Sequence, residues 1–223
     1  MIRQILLWIL LAYSPLAYAD SIADTVSSTC TAKVDGVMYT AYYYADEKIE
    51  LKNAKGTTVL LLKQSDAQFD NAGISGCKFV DFNGDGYQDL IVRYMTNVPD
   101  ICELILYDQK LKKFIKITGF DAFPAPAKLP GIKMYYSYHR SGCADSNWGS
   151  DLFVIRNFKA VKLGSISGVE CDESDIKDGV YIYKTKSKQI LYKKLPIETI
   201  HDYKGDKWGF INDYWKHHYK AFL

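Results

Sequence analysis

Phe79-Val-Asp-Phe-Asn-Gly-Asp-Gly-Tyr-Gln-Asp-Leu-Ile-Val92 is the stretch on which the fold turns. Its centre, Asp81 to Asp89, reads D-x-N-x-D-G-x-x-D. Asp81, Asn83, Asp85 and Asp89 offer side-chain oxygens and Tyr87 a backbone carbonyl. That all-oxygen set at this spacing suits a calcium ion, a hard cation that takes six to eight oxygens. Gly86 stands where such a loop turns sharply. Three carboxylates this close in sequence repel one another without a cation; the plainer reading is an acidic Asn/Gly turn with no metal. The loop is not an EF-hand, because its twelfth position is Val92 rather than a bidentate Glu. The flanks, Lys78-Phe-Val80 and Leu90-Ile-Val92, are short apolar runs that read as strands. The stretch therefore predicts two strands joined by a calcium loop.

The same grammar continues outward. Short β-rich runs recur at Met38–Tyr44, Lys48–Leu51, Thr57–Lys63, Glu103–Tyr107, Lys113–Ile117, Lys133–His139, Val180–Lys184 and Gln189–Lys193. Asn53-Ala-Lys-Gly56 and Asp108-Gln-Lys110 mark turns between them. Asp151–Arg156 and Phe158–Leu163 read as a hairpin turning near Asn157. No segment keeps a 3.6-residue apolar period over four turns. The fold class expected is all-β: an antiparallel sandwich or a partial-propeller-like domain with one calcium loop. The aromatic C-terminus, with Trp208, Phe210, Tyr214, Trp215, Tyr219 and Phe222, predicts a short helix packed on the sheet. Asp121–Gly131 reads as a Pro-rich surface loop, and residues 20–33, rich in Ser and Thr, as loosely ordered. A single β-rich domain is expected over residues 34–223.

Residues 1–19 have the form of a signal peptide. Arg3 precedes the apolar run Ile5–Ala12, and Ala17-Tyr-Ala19 is an A-x-A cleavage site. No Cys follows the cleavage site directly, so no lipid anchor is expected there. No later run is apolar enough to span a bilayer. A periplasmic protein without a membrane anchor is the expectation, with secretion as the alternative. The formal charge of +2 over 223 residues gives no reason to expect nucleic acid. Export favours disulfides among Cys30, Cys77, Cys102, Cys143 and Cys171. An odd number leaves one thiol over. Cys143 and Cys171 are equidistant from Asn157, and equidistant residues can face one another in an antiparallel pair. A Cys143–Cys171 disulfide is therefore expected. The other three cysteines offer no such argument.

Tyr135-Tyr-Ser-Tyr-His-Arg-Ser-Gly142 is the second notable stretch. It reads as a strand ending in a polar tip that carries His139, Arg140, Ser141 and Gly142. A guanidinium at a narrow tip can grip a carboxylate with two parallel hydrogen bonds. The plainer reading is a strand end with a solvated Arg. Asp145-Ser-Asn-Trp-Gly-Ser-Asp151 is a degenerate calcium pattern lacking an oxygen ligand at Gly149. Gly164-Ser-Ile-Ser-Gly168 fails as a hydrolase elbow because its middle residue is Ile166. His217 and His218 are adjacent and have no third ligand at useful spacing. No Cys-x-x-Cys, Walker loop or H-E-x-x-H is present. Nothing selects a catalytic pair of carboxylates, so an enzyme is not expected.

Together the loop at Phe79–Val92 and Tyr136-Ser-Tyr-His-Arg-Ser-Gly142 carry a resemblance. The loop resembles the calcium loops of FG-GAP and VCBS repeats. The combination, with the Asn157 hairpin that follows, is similar to a family of small bacterial periplasmic proteins. That family includes immunity proteins against peptidoglycan-cleaving effectors, and its fold is akin to periplasmic inhibitors of invertebrate-type lysozyme. The resemblance spans residues 75–165; the five cysteines and the aromatic C-terminus lie outside its pattern. It implies a calcium-stabilised inhibitor that pushes a loop into the cleft of a lysozyme-like peptidoglycan hydrolase. The loop would be Tyr138, His139, Arg140, Ser141 and Gly142. The alternative is a secreted carbohydrate-binding or adhesion module using Tyr and Trp faces as sugar platforms, with no inhibitory role.

Overall fold

The computed structural model describes residues 25–45, 48–63, 73–171 and 177–223. The segment read as a signal peptide lies outside them. The chain lays down two four-stranded antiparallel meanders and then a larger sheet. The first meander comprises β1 (Val26–Val34), β2 (Val37–Tyr44), β3 (Lys48–Asn53) and β4 (Thr58–Lys63). The second comprises β5 (Ile74–Val80), β6 (Asp89–Tyr94), β7 (Cys102–Asp108) and β8 (Lys113–Lys116). The third sheet gathers β9 (Ala127–Lys128), β10 (Tyr135–Tyr136), β11 (His139–Arg140), β12 (Trp148–Arg156), β13 (Lys159–Val169), β14 (Gly179–Thr185) and β15 (Gln189–Leu195). Helix α1 (Lys207–His218) closes the fold. Neighbouring strands pair antiparallel throughout, as expected.

Burial explains the layering. In β6 and β7 nearly every residue is buried, on both faces, which a strand shows only when something covers each side. Leu90, Val92 and Ile105 face the first meander and pack with Tyr39, Ala41 and Leu51. Ile91, Leu104 and Leu106 face the third sheet and pack with Phe120, Phe123, Tyr135 and Phe153. The other face of the third sheet receives Phe210, Ile211, Tyr214 and Trp215 of α1. The order is thus meander, meander, large sheet, helix. Apolar runs such as Leu90-Ile-Val92 are the sequence mark of the middle layer.

Turn chemistry sets the hairpins. β1 and β2 meet at Asp35-Gly36, both at positive φ (49° and 82°), the pairing a tight primed turn requires. β12 and β13 meet at Asn157-Phe158, at 49° and 56°, where the sequence places the turn. A bulge between Leu152 and Phe153 shifts the register of that ladder by one residue.

Three expectations need correction. Residues 26–33 are not loosely ordered: they form most of β1, fixed by the ladder to β2 and by a Cys30–Cys77 disulfide to β5. The segment 121–131 is not a surface loop, since Phe123 and Leu129 are buried and Ala127–Lys128 joins the sheet. Lys133–His139 is not one strand. Ser137 and Tyr138 interrupt it, because the Tyr138 N–H donates to the Pro124 carbonyl at 2.9 Å instead of a ladder partner.

Candidate functional site

The acidic loop lies between β5 and β6, and two inward-facing rings fasten it. Phe82 stacks on Tyr135 with centroids 4.9 Å apart and meets Phe120 edge-on at 5.3 Å. Tyr87 packs on Tyr107 at 5.6 Å. Asp81 turns the chain: its Oδ1 accepts from the N–H groups of Gly84 (2.7 Å) and Asp85 (3.0 Å), and its Oδ2 from Gly86 (2.9 Å). Asn83 Oδ1 accepts from the Asp85 N–H, and Asp85 Oδ1 from the Tyr87 N–H. Lys128 Nζ donates to the Asn83 carbonyl.

Asp89 is different in kind. It is wholly buried, and its oxygens accept from the N–H groups of Tyr107 (2.9 Å) and Phe82 (3.1 Å). Burial pushes its ionisation up to about 7 against those hydrogen bonds, and the nearby Asp85 charge adds to the rise. A carboxylate in this position would be relieved by protonation or by a cation beside it. The donor set fits one chemically, being entirely oxygen. Among the described residues, however, no group of three His, Cys, Asp or Glu side chains is arranged to hold a metal ion. The Asn83 amide, donating to Asp85 Oδ2 at 2.8 Å, lies within the set.

The second expected site is a rigid tip. Tyr138 is buried. Its hydroxyl donates to Asp145 Oδ1 at 2.5 Å, and its ring lies 3.8 Å from that of Trp208. His139 is half-buried and pairs with Gly149 across the sheet. Arg140, Ser141 and Gly142 are exposed and lead into the turn: Arg140 still pairs with Trp148, and the Ser141 N–H donates to the Asn147 carbonyl. Beyond them Cys143, Ala144 and Asp145 all sit at positive φ, at 48°, 50° and 81°. Such backbone costs about 1–3 kcal/mol per residue and persists only where its surroundings over-determine it.

Those surroundings are present. Cys143 is bonded to Cys171, with Cα atoms 6.1 Å apart. Asn147 Oδ1 accepts from the N–H groups of Glu170 and Cys171, and its Nδ2 donates to the Cys171 carbonyl. Lys207 Nζ reaches both the Asp145 carbonyl (2.7 Å) and its carboxylate (2.8 Å). Burial works against ionisation of Asp145, yet Lys207 and Tyr138 together hold its carboxyl below the ordinary range. The expected disulfide is therefore formed, by a route the register argument did not contain. The ladder stops at Trp148–Gly168, and a short 3-10 turn at Cys143–Asp145 carries the sulfur across.

A cleft of about 320 Å³ opens beside the tip, lined by Asp145, Glu170, His201, Asp206 and Trp208. His201 Nδ1 lies 3.1 Å from Asp206 Oδ1, but the two side chains are 60% and 65% exposed. This is a solvated surface pair rather than a relay buried for catalysis. Sequence reasoning missed Asn147, Lys207 and Trp208. Their work depends on α1 folding back on the tip, which no local pattern announces. Neither His217 nor His218 joins a metal site; each ring lies beside the carbonyl four residues earlier in α1.

Fold and site together define an antiparallel β protein with a braced, solvent-facing tip. No family model matches the chain, and no curated protein matches it. Among solved structures it is similar to a Xanthomonas type IV secretion system related protein. That likeness has a TM-score of 0.49 and 13% identity, over 77% of this chain and 97% of the other. It is also similar to the Dos1 propeller, at a TM-score of 0.30 and 12% identity, over 77% of this chain and 58% of the other. At these identities and scores neither likeness carries an argument about function. Two disulfides suit an exported protein. Among the described residues no helix is long and apolar enough to cross a membrane.

Proposed function

We propose that this chain is a periplasmic inhibitor or immunity protein that occludes the active site of a lysozyme-like peptidoglycan hydrolase. The observation that carries the reading is the tip. Arg140, Ser141 and Gly142 are exposed on a hairpin whose turn is held by a disulfide, by Asn147 and by Lys207. Ordering a flexible loop at an interface costs affinity, and a braced loop avoids most of that loss. Hydrolase clefts are lined with carboxylates. An inserted Arg140 would meet one with charge-assisted, bidentate hydrogen bonds. The protein itself performs no chemistry in this reading.

Calcium belongs to the same proposal. The side chains of Asp81, Asn83, Asp85 and Asp89 and the Tyr87 carbonyl would hold it. It would supply positive charge beside buried Asp89 and so brace the junction of β5 and β6, away from the tip.

The test is the clearing of a cell-wall suspension by a panel of lysozyme-like peptidoglycan hydrolases, with the mature protein added in increasing amounts. Stoichiometric arrest of clearing is expected. Undiminished clearing at a large excess would overturn the reading and favour the sugar-binding alternative.

A further inference from the structure

The Gly164-Ser-Ile-Ser-Gly168 segment has no part in the tip or in the acidic loop. In the fold it supplies the floor of a second, polar groove. Side chains alternate along a strand, so Gly149, Asp151 and Phe153 of β12 share one face of the large sheet. Phe153 lies under the second meander. Toward Gly149 that cover ends and a groove of about 310 Å³ opens. Its floor is small, because Gly149 pairs with Ser167 and Asp151 with Ser165. Gly149 leaves room for the imidazole: a Cβ there would lie 2.4 Å from His139 Nε2, so any other residue would push that wall aside. Tyr183, paired with Ser165, and Gln189 line the groove across the sheet.

The chemistry of the lining is specific. Asp151 is 5% exposed, and its Oδ2 is paired with Lys162 Nζ at 2.7 Å. No described residue makes a hydrogen bond to its Oδ1. Gln189 Nε2 donates to Ser165 Oγ at 3.0 Å, which keeps the amide at the groove. The Asp151 and Lys162 charges cancel, so the groove favours neither an anion nor a cation. What it offers is a carboxylate, hydroxyls, an amide and an imidazole beside a tyrosine ring. A neutral polyol uses all of these, with hydroxyls that both donate and accept and a C–H face for the ring.

We infer that this groove is a binding site for a neutral saccharide unit of a glycan. The groove borders the tip, since His139 and Ser141 line it, but Arg140 does not, and this inference does not rest on the inhibitor reading.

Calorimetric titration of the mature protein with chitotriose and with cellotriose tests it. Saturable binding of at least one is expected. Ser167→Leu fills the floor and should weaken binding at least about tenfold. Gln189→Ala, on an exposed edge strand, threatens folding least and should weaken it about fivefold, the worth of one hydrogen bond. Arg140→Ala should leave it unchanged, so failure of this site and failure of the inhibitor reading are told apart. The inference is overturned if neither sugar binds at about 10 mM. It is equally overturned if both groove variants bind like wild type, or if inorganic phosphate displaces the sugar, which would mark an anion site.

Discussion

Asn147 shows how one side chain can set a surface. Its amide ties Glu170 and Cys171 to the tip through three hydrogen bonds of 3.0 to 3.2 Å. Asn147→Ala hands those part-exposed backbone groups to water and should lower stability by about 0.5–1.5 kcal/mol, measured by urea unfolding. Glu50 makes a different residue-scale prediction. The Thr58 hydroxyl, then Tyr44 and Lys52, outweigh its burial and hold its carboxyl down at about 2 instead of 4.5. A depressed folded pKa means stability that is present above 4.5 and drains away as pH falls toward 2. Glu50→Gln should therefore flatten the acid limb of the stability curve in that window and leave its shape above pH 5 unaltered, as followed by thermal melts across pH. At this scale the acidic loop was plain in the sequence, since its residues are neighbours. The roles of Tyr138 and Lys207 were not, because their partners lie 7 and 62 positions away.

Among the elements, the β12–β13 hairpin and α1 do most to place the tip. Trp215 is wholly buried between them, donates to Ser150 Oγ at 2.8 Å and meets Phe222 edge-on at 5.2 Å. Trp215→Ala should cost about 3–5 kcal/mol in chemical unfolding, through lost contacts and the cavity left behind. The hairpin and the helix are legible locally, one from Asn157 between apolar runs and the other from clustered aromatics. β1 is not, because Ser27 to Thr31 read as polar coil. Its order comes from the β2 ladder and from Cys77, both distant in sequence. The segment 121–131 misleads for the complementary reason. Its prolines signal a turn, while Phe123 fills space between the second meander and the large sheet and Leu129 packs on the helix side of that sheet, spaces that only the assembled fold creates.

On the scale of the whole molecule, the chain is a stack in which the central strands β6 and β7 of the second meander are covered on both faces. Cys30–Cys77 joins the first two layers, and Cys102, the remaining thiol, is buried in the middle one. Burial pushes that thiol up to about 12, which keeps it unreactive. The acidic loop sits at the rim of the same middle layer, so a cation bound there would act on stability rather than on the tip. Adding calcium at a hundredfold excess over its Kd should stabilise the fold by about 2.7 kcal/mol. Asp85→Ala should lose that gain, and a melting temperature indifferent to chelator would remove calcium from the account. The most direct measurement of the central claim is the inhibition constant of Arg140→Ala against the partner hydrolase, with its melting temperature matched to wild type. Losing one side of a buried charged pair costs about 2–5 kcal/mol, so inhibition should weaken by about 30-fold or more. An Arg140→Ala protein that inhibits as well as wild type would contradict the account.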